Sequence, residues 1–163
     1  MHEFPRAEKR PNATGFQVAE HTLASVRRTT IDAPAPSRII YTTRLPAHGV
    51  LRTDVAVLPG VASDTDGAVR FRIGISDGRV YEARAEQLVT IADTKQVGWR
   101  SVTVDMSLYG GRQWSLFYRP SRRAWQLIFN ADQVAGHARA LWGSPGVDTN
   151  RASAESWWQE GRK

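Results

Sequence analysis

Arg100-Ser-Val-Thr-Val-Asp-Met-Ser107 alternates apolar and polar residues: Val102, Val104 and Met106 share one face, and Ser101, Thr103, Asp105 and Ser107 the other. That is the pattern of a strand with one side on a core and one in water. Tyr109-Gly-Gly-Arg112 breaks it, after which Trp114, Leu116 and Tyr118 alternate with Gln113, Ser115 and Arg119. Pro120-Ser-Arg-Arg123 turns the chain again, and Trp125, Leu127 and Phe129 form a third apolar row opposite Gln126 and Asn130. Three short runs separated by turn residues predict an antiparallel meander carrying large aromatics.

Upstream the same grammar recurs. Ser37 to Leu45 is β-branched and reads as a strand; Val50 to Leu58 sets Leu51, Thr53, Val55 and Val57 against Arg52, Asp54 and Ala56. In the next run Val69, Phe71, Ile73 and Ile75 face one way while Arg70, Arg72, Gly74 and Ser76 face the other. Asp77-Gly78 is a strong tight-hairpin signal, with Arg79 to Arg84 as the returning strand. Phe16 to Ile31 is weakly strand-like, and Asp32-Ala-Pro-Ala-Pro36 predicts an extended link. Glu86 to Ala92 reads as a strand or an irregular connection, Ala131 to Leu141 has no clear period, and Trp142 to Val147 suits a last short strand. Regularly spaced short strands with few helices predict an all-β fold, an antiparallel β-sandwich or barrel.

Three regions follow. Residues 1–15, polar and proline-containing, read as an extended arm; residues 16–150 form the sandwich; residues 151–163 form a tail in which Ser153 caps a short helix. A chain of 163 residues is long enough for one domain with its own core. There are no cysteines, which excludes disulfides, thiolate metal sites and thiol nucleophiles. No apolar run approaches the roughly 20 residues that cross a bilayer as a helix, and Met1 to Arg6 lacks the apolar centre of a signal peptide. If the protein is exported, its leader or anchor lies outside this sequence. The formal charge is +6, with only Lys9, Lys95 and Lys163 as lysines, so nearly all the positive charge is arginine, suited to bidentate contacts with anions.

Arg44-Leu-Pro46, Leu51 to Val57, Asp66 to Gly78, Trp99 to Asp105 and Ala140-Leu-Trp-Gly-Ser-Pro145 together resemble bacterial modules with the galactose-binding-like jelly roll, over about residues 37–147. That resemblance implies a jelly-roll sandwich without catalytic activity, akin to carbohydrate-binding domains of secreted enzymes and envelope proteins. It also implies an extracytoplasmic location, periplasmic or at the cell envelope.

The individual residues are consistent with a non-enzyme. Gly74-Ile-Ser-Asp-Gly78 spells a nucleophile elbow, but that motif needs a turn into a helix, and here a strand follows the turn. His2, His21, His48 and His137 are scattered, with no pair at zinc-site spacing. Asp64 and Asp66, two carboxylates before Gly67, are the candidate ligands for calcium, although the further acidic positions of an EF-hand loop are missing. No other cofactor is expected. Of Trp99, Trp114, Trp125 and Trp142, at least two are expected in the core. Tyr109, in the Gly-Gly turn, is the first candidate for stacking on a sugar ring, Trp99 the second, and Arg112 a neighbouring hydrogen-bond donor.

Trp157 and Trp158, beyond the apparent sandwich, are candidates for anchoring on a partner, together with Arg6 and Arg10 of the basic arm. Three functions are therefore carried forward. The first is a carbohydrate-binding or envelope-associated recognition module. The second is an accessory subunit of a larger protein complex, which could be membrane-bound, docked through its tails. The third is a basic nucleic-acid binder using Arg119, Arg122 and Arg123 beside Tyr118, with no recognised nucleic-acid motif to accompany them.

Overall fold

A computed structural model describes residues 7–43, 45, 49–107, 109 and 125–148. In chain order they form β1 (Glu8–Arg10), β2 (Gln17–Leu23), β3 (Val26–Pro34), β4 (Ser37–Thr43), β5 (Val50–Pro59), β6 (Ala68–Ser76), β7 (Tyr81–Thr90), α1 (Ile91–Val97), β8 (Arg100–Asp105), β9 (Trp125–Ala135) and β10 (Ala138–Asp148). Two five-stranded sheets, ordered β1-β4-β9-β6-β7 and β2-β3-β10-β5-β8, have antiparallel neighbours throughout. The sequence expectation of an all-β sandwich holds.

Alternation explains which residues lie between the sheets. Ile39, Phe129, Ile73 and Ala85 stand in one register row of the first sheet, and Ile31, Trp142 and Val55 in a row of the second. Trp142 is the largest buried side chain, with Phe71 and Phe129 edge-on to it at 4.8 and 5.1 Å between ring centroids. Trp125 is half-buried against this core. Two tryptophans thus serve packing, as bulk considerations require; Trp114 lies outside the described residues.

Several local expectations are corrected. Arg100–Asp105 and the run from Trp125 do not belong to one meander: β8 pairs with β5 in one sheet and β9 lies between β4 and β6 in the other, while the expected middle run, residues 113–119, lies outside the described residues. Alternation defines a strand's two faces but not its partner, so the chain crosses between sheets where a meander was expected. Within the expected arm, Glu8–Arg10 is an edge strand on β4. Phe16 to Ile31 divides into two strands around Ala24 and Ser25, both at positive φ (48° and 65°). Asp32 to Pro34 belongs to β3, so only residues 35 and 36 form the link. Glu86 to Thr90 completes β7, and the chain then enters α1. That helix is set by a capping box: the Asp93 N–H donates to Thr90 Oγ1 (3.0 Å) and the Thr90 N–H to Asp93 Oδ2 (2.9 Å). Ile91 enters the core, and Thr94 Oγ1 accepts from the Val57 N–H (2.9 Å), fastening the helix to β5. No helix among the described residues is long and apolar enough to cross a membrane.

Candidate functional site

The outward surface of the β1-β4-β9-β6-β7 sheet carries one register row that is polar on all five strands. Arg10 faces Arg38, Arg38 faces Asn130, Asn130 faces Arg72, and Arg72 faces Glu86. The next row of the same face, Glu8, Ile40, Ile128, Gly74 and Ala83, is apolar at its centre. Polar groups therefore lie one pleat from an apolar strip.

Tyr81 lies across that strip. In a regular β7 it would share the inward face of Ala85, which pairs with Ile73, but a bulge between Ile73 and Gly74 adds a residue to β7 and shifts the register. Tyr81 consequently pairs with Ser76 and points outward, the re-aiming that bulges perform. Its ring passes over β6 at Gly74, where a Cβ would stand 2.3–2.5 Å from Cε2, Cζ and the hydroxyl oxygen, so no larger residue fits beneath it. The hydroxyl reaches β9 and accepts from Asn130 Nδ2 (3.3 Å). Asn130, only 3% exposed, has its Oδ1 bound by Arg38 Nε (2.7 Å). Tyr81 itself remains 41% exposed. Arg72 pairs with Asp132 (2.6 Å) and Arg70 with Glu86 (3.1 Å) on the same face.

The residues singled out from sequence are distributed differently. The Tyr109 hydroxyl donates to Glu82 Oε2 (2.6 Å), its ring meets Trp125 edge-on at 5.3 Å, and the Arg84 guanidinium lies 5.6 Å from its centroid. Arg84 also pairs with Glu82 (2.9 Å). The hydrogen bond from Tyr109, and then the Arg84 guanidinium, hold the Glu82 carboxyl below the usual carboxylate range. Burial first, and then the bond to Glu82, push the Tyr109 phenol up. Tyr109 is thus a packed, hydrogen-bonded element of the sandwich end.

Trp99 lies on the other sheet: its Nε1 donates to the Val26 carbonyl (2.9 Å), and its ring stands over Gly143, whose absent Cβ would come within 3.3 Å of Cζ3. Beside it Asp54 accepts from Arg28 Nε and Ser101 Oγ, both at 2.6 Å. The structure does not bring Trp99 and Tyr109 into one site, and Arg112 lies outside the described residues.

Asp64 Oδ2 accepts from the Val61 N–H (2.8 Å) and closes a turn, while Asp66 lies beside Gly136. Among the described residues no group of three or more His, Asp or Glu could hold a metal ion. Arg10 is in β1, paired with Glu8 (2.6 Å). Arg6, Trp157 and Trp158 lie outside the described residues, as do Tyr118, Arg119, Arg122 and Arg123.

Tyr81 was the residue that sequence reasoning passed over. The available signal was Gly74, an isolated glycine in an otherwise regular strand, which marks a bulge or a close approach; here it marks both.

No protein-family model matches the chain, and no curated protein matches it. Solved structures do. TmCBM61 in complex with beta-1,4-galactotriose superposes with a TM-score of 0.58 at 8% identity, covering 90% of each chain. The CBM51-2 and INT domains of Clostridium perfringens ZmpB superpose with a TM-score of 0.51 at 18% identity over 85% of this chain. The structure of those domains with GlcNAc in complex with CBM51-2 gives 0.52 at 17% identity. The chain spans 27% of the length of the first Clostridium chain. At these identities the likeness is one of fold: the chain has the galactose-binding-like β-sandwich of carbohydrate-binding modules.

Proposed function

We propose that this protein is a non-catalytic glycan-recognition module, and that its binding surface is the outward face of the β1-β4-β9-β6-β7 sheet with Tyr81 as the stacking residue. One observation carries the reading: a half-exposed tyrosine spans three strands, seated over a glycine and tied to the amide of Asn130. A sugar ring offers an apolar face bordered by hydroxyls, and an aromatic ring beside fixed donors and acceptors complements both. The shared sandwich fold supports the same reading. Action outside the cytoplasm, at or beyond the cell envelope, belongs to the proposal.

The test is a glycan array probed with the wild-type chain, Tyr81→Ala and Tyr109→Ala. Binding by wild type and Tyr109→Ala, lost at least tenfold in Tyr81→Ala, is the expected result. Retained binding in a folded Tyr81→Ala variant overturns the assignment of the site, and no glycan bound by the wild type overturns the function.

A further inference from the structure

We infer, on the basis of that glycan reading, that the ligand is an acidic glycan whose sugar carboxylate is received by Arg38, with Arg10 beside it. The inference rests on unequal pairing of the arginines across this face. Arg72 has Asp132, Arg70 has Glu86 and Arg10 has Glu8. Arg38 has no acidic partner among the described residues; its guanidinium is held through Nε by the neutral Asn130 amide. That bond fixes the plane of the guanidinium while leaving both terminal nitrogens to donate, the fork that accepts a carboxylate bidentately.

The register supplies a second observation. Arg10 and Arg38 are direct partners across the β1-β4 ladder, on the same face. Like charges placed opposite each other, with Cβ atoms about 4.5–5.5 Å apart, disfavour the pairing unless an anion sits between or beside them. Glu8 neutralises Arg10 only in part, because the pair is more than half exposed and screened by water. A carboxylate at Arg38 would relieve the repulsion.

Asn130 links this cation to the stacking residue, since its Oδ1 receives Arg38 and its Nδ2 donates to Tyr81. A sugar ring over Tyr81 would therefore have Arg38 at its rim, one amide group away. The face also bears Glu8, Glu86 and Asp132. A polyanion laid flat, such as a nucleic acid or an anionic bilayer, would meet those carboxylates along with the arginines. A single carboxylate on the recognised sugar unit meets Arg38 alone.

The experiment compares oligosaccharides that differ only in charge: a panel of uronate and sialylated oligosaccharides, the methyl esters of the same compounds, neutral counterparts of equal length, and sulfated counterparts. The wild-type chain should bind at least one acid about tenfold or more tightly than its methyl ester, with the difference shrinking as salt is added. Arg38→Gln should bring the acid-to-ester ratio near one. Equal binding of acid and ester overturns the inference while leaving the glycan reading intact, and so does an acid preference that survives Arg38→Gln. A preference for sulfated over carboxylated sugars overturns the carboxylate assignment. Displacement by poly-glutamate or phosphatidylglycerol vesicles at equal charge concentration overturns it in favour of unspecific anion binding. Failure of every glycan to bind the folded chain removes the underlying function and the inference with it. The acid-against-ester comparison uses the wild-type chain, so it stands whether or not Arg38→Gln folds.

Discussion

The phenol of Tyr81 occupies the space that a side chain at Gly74 would need: a Cβ there would lie 2.3 Å from Cε2 of the ring. The two residues sit on neighbouring strands, and the bulge that turns Tyr81 outward falls beside Gly74 itself. Bulge, glycine and aromatic form one device for laying a ring across a sheet. Gly74→Ala should therefore push the ring off Asn130 without unfolding the domain. Because the ring is half-exposed and its far end is held by a 3.3 Å hydrogen bond, the stability cost should be about 1 kcal/mol, at the low end for an overpacked site. Glycan affinity should fall about as far as in Tyr81→Ala. Thermal denaturation and a binding titration on the same sample check both halves.

Tyr109→Phe should leave glycan binding at the wild-type level, because its ring is engaged by Trp125 and Arg84 and its hydroxyl by Glu82. The variant has a distinct signature. The hydrogen bond is the first cause of the lowered Glu82 value, so its removal should move that carboxyl up toward its ordinary 4.5. An NMR titration of the Glu82 side chain would show the shift.

The capping box of α1 should be worth about 1 kcal/mol, read as the loss of stability in Thr90→Ala. The backbone N–H of Thr90 is the chief cause of a lowered Asp93 carboxyl, followed by the Thr90 side chain, with Arg100 contributing. A carboxyl lowered on folding stabilises the native state above its unfolded value and loses that contribution as the pH falls through the folded one. The Asp93 contribution should thus be complete above its ordinary 3.8 and disappear below it. Denaturant titrations of wild type and Asp93→Asn should differ at neutral pH and converge below that value.

Asp32, 1% exposed on β3, is surrounded by donors from three strands: Thr30 Oγ1 (2.6 Å), Gln17 Nε2 (3.3 Å), His21 Nε2 (2.9 Å) and the Arg139 guanidinium. Asp32→Ala should cost about 1–3 kcal/mol, since it leaves the buried Thr30 hydroxyl and the partly buried His21 ring without their acceptor, while Gln17 and Arg139 are exposed enough to rehydrate. Equilibrium unfolding in urea would measure it. Asp32→Asn, which keeps the shape and loses the charge, should fall between wild type and Ala.

Much of the architecture was written in local alternation. Val69, Phe71, Ile73 and Ile75 fell on the core side as their spacing required, and Asp77-Gly78 does link β6 to β7. What alternation could not carry was pairing. Arg100–Asp105 and the run from Trp125 read as the first and third strands of one meander, yet they lie in different sheets, because strand partners are chosen by the packing of the whole. β9 also runs on past Asn130 to Ala135, where Asp132 is half-buried and Gln133, Val134 and Ala135 are all exposed, so no buried row alternates with a wet one to mark the strand. The candidate site was legible only through Gly74. Tyr81 gains its place from Asn130 on β9, 49 residues away in sequence, whereas Tyr109 stands out by its Gly-Gly turn and makes its contacts with Glu82, Trp125 and Arg84.

The sheet order also bears on how the chain is made. β9 stands at the centre of one sheet and β10 at the centre of the other, and they are the last two strands of the described chain. During synthesis, β4 and β6 must wait for β9, and β3 and β5 for β10, before either sheet can close. Residues 7–107 emerging from a ribosome would therefore present hairpins such as β2-β3 and β6-β7, with their apolar sides uncovered. Domains with such long-range pairings are slow to form, and the waiting half is the part most exposed to wrong partners. The fold becomes committed only when residues 125–148 arrive, so a nascent chain should gain protease resistance in one late step rather than strand by strand.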